Sequence, residues 1–418
     1  MGINEFREIT SCEVCGGSGA LESVLNLGLH PMCDDLVSID EDRVCREYPI
    51  EILFCKNCNT AHQRFQVPKE DLFPTTYHYR SRFTADVLNG MKGLVESCSD
   101  RFGNLIEKKV LDIGCNDGSL LDFFREQGAI TIGIEPTDAY LDAEKKGHSV
   151  YGKFLSEKLA ESIIKDHGKP DFITFTNVFA HIEDLQEVLR SLKKLMSEKT
   201  VIVIENHYLG SVLEGNQFDT FYHEHPRTYS YSSFIHMAAK LETQLAGVEF
   251  PSRYGGNIRV FLGNSLNANF TETVDLTELA LRESNFGNDF SSLRKNIENW
   301  LAVKSSFLKE QFSKYGKLHA KAFPGRAAIL VKLLGLDDSL ICAVYEKPGS
   351  LKIGHFLPGT RIPIRSDLDL FNLSDQSVPL LNLAWHIPKE IHNYLRENQY
   401  KGEIIDILNA DDFVERLK

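Results

Sequence analysis

The sequence predicts an α/β protein in three parts: a small cysteine module, a parallel sheet covered by helices, and a second, smaller α/β domain. Three observations carry this. Cys12/Cys15 and Cys55/Cys58 form two C-x-x-C pairs near the N-terminus. From Lys109 onward, short continuous apolar runs alternate with helical stretches. The same texture returns after residue 327.

The cysteine pairs come first. Two such pairs, each in a short knuckle, can hold one zinc ion through four thiolates in tetrahedral geometry. Four protein ligands leave no coordination position open, so the expected zinc is structural. Residues 1–66 are expected to form this module. Residues 66–100 read as largely helical, with Phe83, Val87, Met91, Leu94 and Val95 recurring at helical spacing.

The runs 109–114, 129–135, 171–175 and 201–205 are mostly apolar rather than alternating, and a helix is expected near 184–197. That pattern belongs to parallel strands buried on both faces. A further pair, 241–250 and 257–262, has no helix between its members and suits an antiparallel end of the same sheet. This domain is expected to span 67–264. A long helical stretch over 276–316 follows, and then runs at 327–334, 339–345, 378–383 and 404–408 repeat the β/α texture. The second domain is expected over 265–418.

Composition narrows the class. The chain has 418 residues, 42% hydrophobic and 25% charged, as ordinary globular proteins do. No apolar run is long enough to span a membrane, and Met1–Arg7 lacks the basic-then-apolar order of a signal peptide. The other cysteines are scattered, which together with a zinc site suits the reducing cytoplasm. A net charge of −13 argues against a nucleic-acid partner. It leaves room for an anionic small ligand met by local basic groups.

The turn Asp112-Ile113-Gly114-Cys115-Asn116-Asp117-Gly118 follows the first strand of the sheet. Glycines there permit close backbone approach to a ligand. Glu135 ends the next strand, where a carboxylate can accept hydrogen bonds from two ribose hydroxyls. A dinucleotide and S-adenosylmethionine both fit this outline. The dinucleotide fingerprint calls for G-x-G-x-x-G, but Asn116 replaces the second glycine. Asp112 would oppose a pyrophosphate and suits the cationic end of S-adenosylmethionine. The balance therefore favours S-adenosylmethionine.

A polar constellation follows. Tyr222-His223-Glu224-His225 offers acid–base groups, and His181 lies at the same sheet edge. Tyr77 and Tyr79 add phenols. Asn206 and Tyr208 close the strand ending Glu205-Asn206-His207-Tyr208, at the edge where ligands of such sheets bind.

Taken together, several stretches resemble one family, the S-adenosylmethionine-dependent C-methyltransferases that act on nucleotide-linked 4-keto sugars. The resemblance rests on the cysteine knuckles, Tyr77-His78-Tyr79-Arg80-Ser81, the Asp112–Gly118 turn and Asn177–Ile182. It continues through Asn216–His225, Tyr254-Gly255-Gly256-Asn257-Ile258-Arg259 and Gly354–Pro363. It implies a zinc module, a central Rossmann-like methyltransferase domain and a C-terminal Rossmann-like domain that helps bind the nucleotide sugar.

Carried over residue by residue, His225 is the expected base, with Tyr222, Glu224, His181, Tyr77 and Tyr79 lining the sugar. Asp112, Gly114, Asn116, Gly118, Glu135 and Asn177 are expected at the cofactor. Asn206, Tyr208, Tyr254, Gly255, Asn257, Arg259 and Arg361 are expected at the substrate, a dTDP- or GDP-linked 4-keto-deoxysugar methylated at C3. Lys347 and Lys352 are further candidates for the diphosphate. Two stretches depart from the family pattern: Phe323–Ala328 lacks the usual lysine, and Glu346 stands where aspartate is common. A monomer or small homo-oligomer is expected. An O- or N-methyltransferase on another small molecule is the alternative; it would share the cofactor turn but need no enolising base.

Overall fold

The computed structural model describes residues 6–72, 80–83, 85–264 and 274–413. Its contacts gather into two units built from interleaved segments, where the sequence suggests contiguous stretches meeting at 66 and 264. One unit holds the chain up to Glu22, Leu53–Val212 and Glu224–Gly287; the other holds Ser23–Ile52, Leu213–His223 and Asn288 onward. Among the described residues, no helix is long and apolar enough to cross a membrane.

The first unit is organised by a seven-stranded sheet. Its strands are β1 (Lys109–Ile113), β2 (Ile130–Ile134), β3 (Ser149–Tyr151), β4 (Phe172–Thr176), β5 (Val201–His207), β6 (Leu245–Glu249) and β7 (Asn257–Leu262). The order is β6-β7-β5-β4-β1-β2-β3. Strands β1 to β5 run parallel. β7 lies antiparallel to β5, and β6 antiparallel to β7. The helix-free pair thus forms the antiparallel end expected from its short connection.

Helix α1 (Ala85–Phe102) covers one face. Its Val87, Met91, Leu94 and Val95 are buried with Val110, Phe124, Phe172, Val203 and Phe261. Burying each such side chain stabilises the fold by about 1.5–3 kcal/mol, which outweighs the modest helix propensity of valine. Helix α2 (Ser119–Glu126) follows the glycine turn. Helix α3 (Leu185–Leu195) starts at Asp184, whose carboxylate accepts from the Glu187 backbone N–H at 2.9 Å. Strand order reverses direction at β1, between β2 and β4, so the carboxyl ends of these strands frame the crevice where open α/β sheets bind ligands.

The second unit has a parallel sheet of its own, formed by β8 (Leu318–Lys321), β9 (Ile341–Glu346), β10 (Ile364–Ser366), β11 (Leu380–Asn382) and β12 (Ile404–Asp406). The order is β10-β9-β8-β11-β12, with every pairing parallel. Ala343, Tyr345, Leu370, Leu380, Ile391 and Leu395 form its core. The run 327–334 supplies a helix of this β/α texture, Ala327–Leu333.

The two departures from the family pattern meet in this unit. Glu346 Oε1 accepts from the Phe323 backbone N–H at 2.6 Å. Arg326 grips the fully buried Asp219 through Nε at 2.8 Å and Nη2 at 2.5 Å, and Trp385 Nε1 donates to the same carboxylate at 2.8 Å. A planar guanidinium can make this bidentate contact; a lysine could not.

Candidate active site

The cofactor turn is shaped by backbone geometry. Gly114 and Gly118 both have φ of +75°, a region costly for residues bearing a Cβ. A Cβ at Gly114 would also stand 2.5 Å from Val178 Cγ2. Asn116 takes φ +49°, so asparagine, which tolerates this region, performs the turn expected of a second glycine. Its backbone N–H donates to Glu135 Oε2 at 3.0 Å, and its side-chain Oδ1 accepts from the Ser81 N–H at 3.0 Å.

Arg80, Ser81 and Arg82 are pinned against this turn. Arg80 bonds Asp138 at 2.7 Å, while the Arg82 backbone N–H and guanidinium reach Asp117 Oδ2 at 3.1 and 3.4 Å. The stretch that ends the tyrosine motif is therefore anchored on the cofactor turn. Tyr77 and Tyr79 themselves lie outside the described residues.

Two carboxylates face the ligand crevice from adjacent strand ends. Asp112 is buried, accepts from Thr174 Oγ1 at 2.7 Å, and has its pKa pushed up to about 7 by burial. Glu135 is also raised by burial, although Thr137 and Asn116 donate to it. Among the described residues, several buried polar atoms near the carboxyl ends of β4 and β5 and the amino end of β7 have no hydrogen-bond partner. They are Thr176 Oγ1, Asn257 Oδ1, and both polar atoms of the Asn206 amide. Buried polar groups are normally paired, so exceptions at the edge where such sheets bind ligands leave donors and acceptors open to a ligand. An acid at the end of β1, a second at the end of β2 and a glycine-shaped turn between them fit S-adenosylmethionine.

Beside this crevice stand three histidines. His225 lies between His181, with ring centroids 4.9 Å apart, and His207, at 5.4 Å. His225 and Glu224 are both buried. His181 Nδ1 bonds the Glu224 backbone carbonyl at 2.7 Å. A carbonyl can only accept, so Nδ1 carries the proton. Burial lowers the His181 pKa to about 4, so the ring is neutral at neutral pH. His207 was not singled out from the sequence. Its signal was alternation along β5, which puts it on the same face as Glu205, two residues away.

The remaining predicted residues are distributed as follows. Asn177 has φ +54° and its N–H donates to the Glu205 carbonyl at 2.8 Å. Glu205 is fully buried and receives Arg253 Nη1 at 2.9 Å, Arg259 Nη2 at 2.7 Å and Asn257 Nδ2 at 3.0 Å. Arg259 also pairs with Glu249 at 2.8 Å. Its guanidinium is thus shared between two carboxylates, which a sequence expectation of diphosphate binding did not foresee.

Tyr208 is buried, and its hydroxyl donates to Glu283 at 3.0 Å. Glu283 in turn caps the helix Tyr231–Lys240 through the Tyr231 N–H at 2.7 Å and the Ser232 N–H at 2.9 Å. The Tyr208 phenol is therefore spent on a helix cap. Gly255 has φ +83° in the turn before β7, and the side chain of Tyr254 lies outside the described set. Tyr222 falls in the Leu213–His223 segment, which packs with the second unit. Within that unit, Arg361 bonds the carbonyls of Glu41 at 2.8 Å and Asp42 at 2.7 Å. Lys347 sits 4.2 Å from the Tyr394 ring centroid, and Lys352 bonds the Phe323 carbonyl at 2.7 Å.

The four predicted zinc ligands come together. The sulfurs of Cys12, Cys15, Cys55 and Cys58 all lie within 4.8 Å of one another. Cys12–Cys58 and Cys15–Cys55 stand at 3.4 and 3.6 Å. A zinc tetrahedron with bonds of about 2.3 Å has sulfur–sulfur edges of about 3.8 Å, so the set fits the ion. Thr60 Oγ1 and His62 Nε2 approach Cys58 and Cys12 at 3.1 and 3.3 Å, as groups surrounding a metal's ligands do.

Comparison with known proteins agrees with this arrangement. Three family descriptions match the chain in succession: a zinc binding domain over residues 12–73, a methyltransferase domain over 80–245, and a C-methyltransferase C-terminal domain over 252–406. C-methyltransferase NovU of Streptomyces niveus is 26% identical over 416 residues, covering 98% of this chain and 94% of NovU. A ubiquinone biosynthesis O-methyltransferase of Escherichia coli O7:K1 is 33% identical over 103 residues, covering 23% of this chain and 42% of that protein. Among solved structures, magnesium protoporphyrin IX methyltransferase (ChlM) from Synechocystis PCC 6803 with bound SAM aligns over 43% of this chain and 80% of its own. That alignment has 14% identity and a TM-score of 0.33, a likeness too slight to argue from. The zinc knuckles, the methyltransferase sheet and the C-terminal domain, matched in order along nearly the whole chain, support an S-adenosylmethionine-dependent C-methyltransferase with an N-terminal zinc-binding domain, similar throughout its length to NovU.

Proposed function

We propose that the protein transfers a methyl group from S-adenosylmethionine to C3, the ring carbon beside the ketone of a nucleotide-linked 4-keto-deoxysugar. The nucleotide is dTDP or GDP, and the enzyme works in the cytoplasm on this small-molecule substrate as a monomer or small homo-oligomer. The observation that carries the reading is the histidine trio beside the cofactor crevice. Methyl transfer to oxygen or nitrogen needs no base able to enolise a ketone, whereas transfer to carbon does.

Asp112, Glu135 and the Gly114–Gly118 turn hold S-adenosylmethionine, which supplies an electrophilic methyl. His225 removes the proton next to the ketone. Neutral His181 and the Asn206 amide provide polar contacts to the substrate, and a donor at the ketone oxygen stabilises the enolate. Glu224 adjoins the base in the chain, and Tyr222 is assigned to the sugar. Holding carbon and methyl in register then removes the cost of their encounter.

The test is incubation of the purified protein with S-adenosylmethionine and dTDP- or GDP-linked 4-keto-6-deoxy sugars. Mass spectrometry should find a product heavier by one CH2, and NMR should place the methyl on carbon. In deuterated buffer without S-adenosylmethionine, the substrate should exchange one carbon-bound proton. A methyl found on oxygen or nitrogen would discard the enolate reading.

Asp112 makes cofactor binding pH-dependent. Free, it holds its proton up to about pH 7; a bound cation favours the carboxylate. Binding therefore releases a proton below that pH. Affinity should rise with pH, by up to about tenfold per unit, and level off above about pH 7. Calorimetry in buffers of differing ionisation heat measures the released proton directly. Asp112→Asn should weaken binding and flatten the pH profile; a wild-type profile in that variant would remove Asp112 from the site.

A further inference from the structure

Arg227 has no part in the chemistry above, yet its side chain is fully buried within the first unit. A guanidinium taken out of water is tolerated only where its donors are paired. Its Nη1 is ion-paired with Glu13, which lies in the chain between the zinc ligands Cys12 and Cys15. Its Nε donates to the Tyr229 hydroxyl at 3.0 Å, and its Nη2 to the Glu183 carbonyl at 3.3 Å. Tyr229 passes its own proton on to the Phe179 carbonyl at 3.5 Å.

Phe179 and Glu183 bracket His181, which lies in the turn Phe179–His181. One guanidinium thus holds both flanks of the His181 turn, one directly and one through Tyr229. The backbone carries the same linkage: Arg227 pairs with His62, the neighbour of Cys12, and the Gln63 N–H donates to the Pro226 carbonyl at 2.8 Å. From His181 the path closes through Nδ1 to the Glu224 carbonyl and so to His225.

We propose that Arg227 is a positioning residue that transmits the geometry of the zinc knuckle to the His181–His225 pair. Zinc fixes Cys12 and Cys15, hence Glu13, and the Glu13–Arg227 pair fixes the turn that orients His181. A metal that touches no substrate thereby sets the geometry of the reacting groups. The catalytic half of this proposal rests on the reading of His225 as the base.

Arg227→Lys keeps the charge but cannot make three divergent contacts. Tyr229→Phe is milder and breaks only the branch to Phe179. Both are to be prepared as zinc-loaded full-length protein and checked for metal content, melting temperature, S-adenosylmethionine affinity, kcat and KM, and the His181 ring signals in long-range proton–nitrogen NMR. Arg227→Lys should keep its zinc and its cofactor affinity, lose about 10²-fold in kcat with little change in KM, and lose the single Nδ1–H tautomer of His181. Tyr229→Phe should do the same to a lesser degree, about five- to tenfold in kcat. An unchanged His181 signature in folded, zinc-loaded Arg227→Lys would overturn the proposal whatever the rate. A changed signature with wild-type kcat would uphold the coupling and instead remove His181 from the reaction.

Discussion

Replacing His225 by asparagine is expected to abolish methyl transfer and leave S-adenosylmethionine binding within about twofold. Asparagine keeps polarity and much of the volume of the buried ring but cannot take a proton. General base catalysis contributes about 10²–10⁴-fold, and the loss should fall in kcat. The neighbours argue for selectivity. His225 packs against the rings of His181 and His207, while the cofactor turn is held by the contacts Ser81–Asn116, Asn116–Glu135 and Ser119–Asp117. The variant should also fail to exchange the substrate proton with deuterated solvent. Retained exchange with lost transfer would move the base elsewhere; parallel loss of cofactor binding would recast His225 as structural.

Removing the zinc is expected to have an equally large effect, first on stability. Cys55 and Cys58 are fully buried, and with the ion absent the sulfurs compete for protons, the contact with Cys55 holding the Cys12 thiol above its ordinary value. Structural zinc sites contribute about 10–16 kcal/mol of apparent binding free energy in isolated zinc-finger peptides. Whole domains are stable by only about 5–15 kcal/mol. Even a net loss of about 4 kcal/mol lowers the melting temperature by roughly 10 °C. Cys55→Ser should therefore yield a protein that melts at least that much lower or fails to fold. The native protein should carry one zinc per chain by elemental analysis, and cobalt substitution should keep activity, since the closed ligand set excludes substrate from the metal. A zinc-free protein with unchanged melting and rate would dismiss a structural role.

The buried charges of the first unit show where sequence reading stops. Arg259 looks, in Asn257-Ile258-Arg259, like a free cation available to a phosphate. In the structure it spans Glu205 and Glu249, because β7 runs antiparallel to β5 and brings Arg259 opposite Glu205. That register depends on how strands distant in sequence pair. Tyr208 is captured by Glu283 in the same way. Likewise, the Arg326–Asp219 pair joins residues far apart in the chain, so the segment Phe323–Ala328 looked merely aberrant in the sequence.

What the sequence determined by itself is local. Ligand spacing identified the zinc quartet, because two residues between cysteines bring both sulfurs to one side of a tight turn. Mostly apolar runs without alternation identified the parallel strands, because a strand covered on both faces has no polar face to show. The Asp112–Gly118 turn was legible because left-handed backbone selects glycine and asparagine. Only the tertiary structure decided that His207 joins His181 and His225, that the Asn206 side-chain amide has no partner among the described residues, and that Arg227 ties the knuckle to the histidine turn. The physical reason is range. Backbone conformation answers to near neighbours, which the sequence displays, while the partner of a buried charge or ring is chosen by packing among segments that only the folded chain brings together.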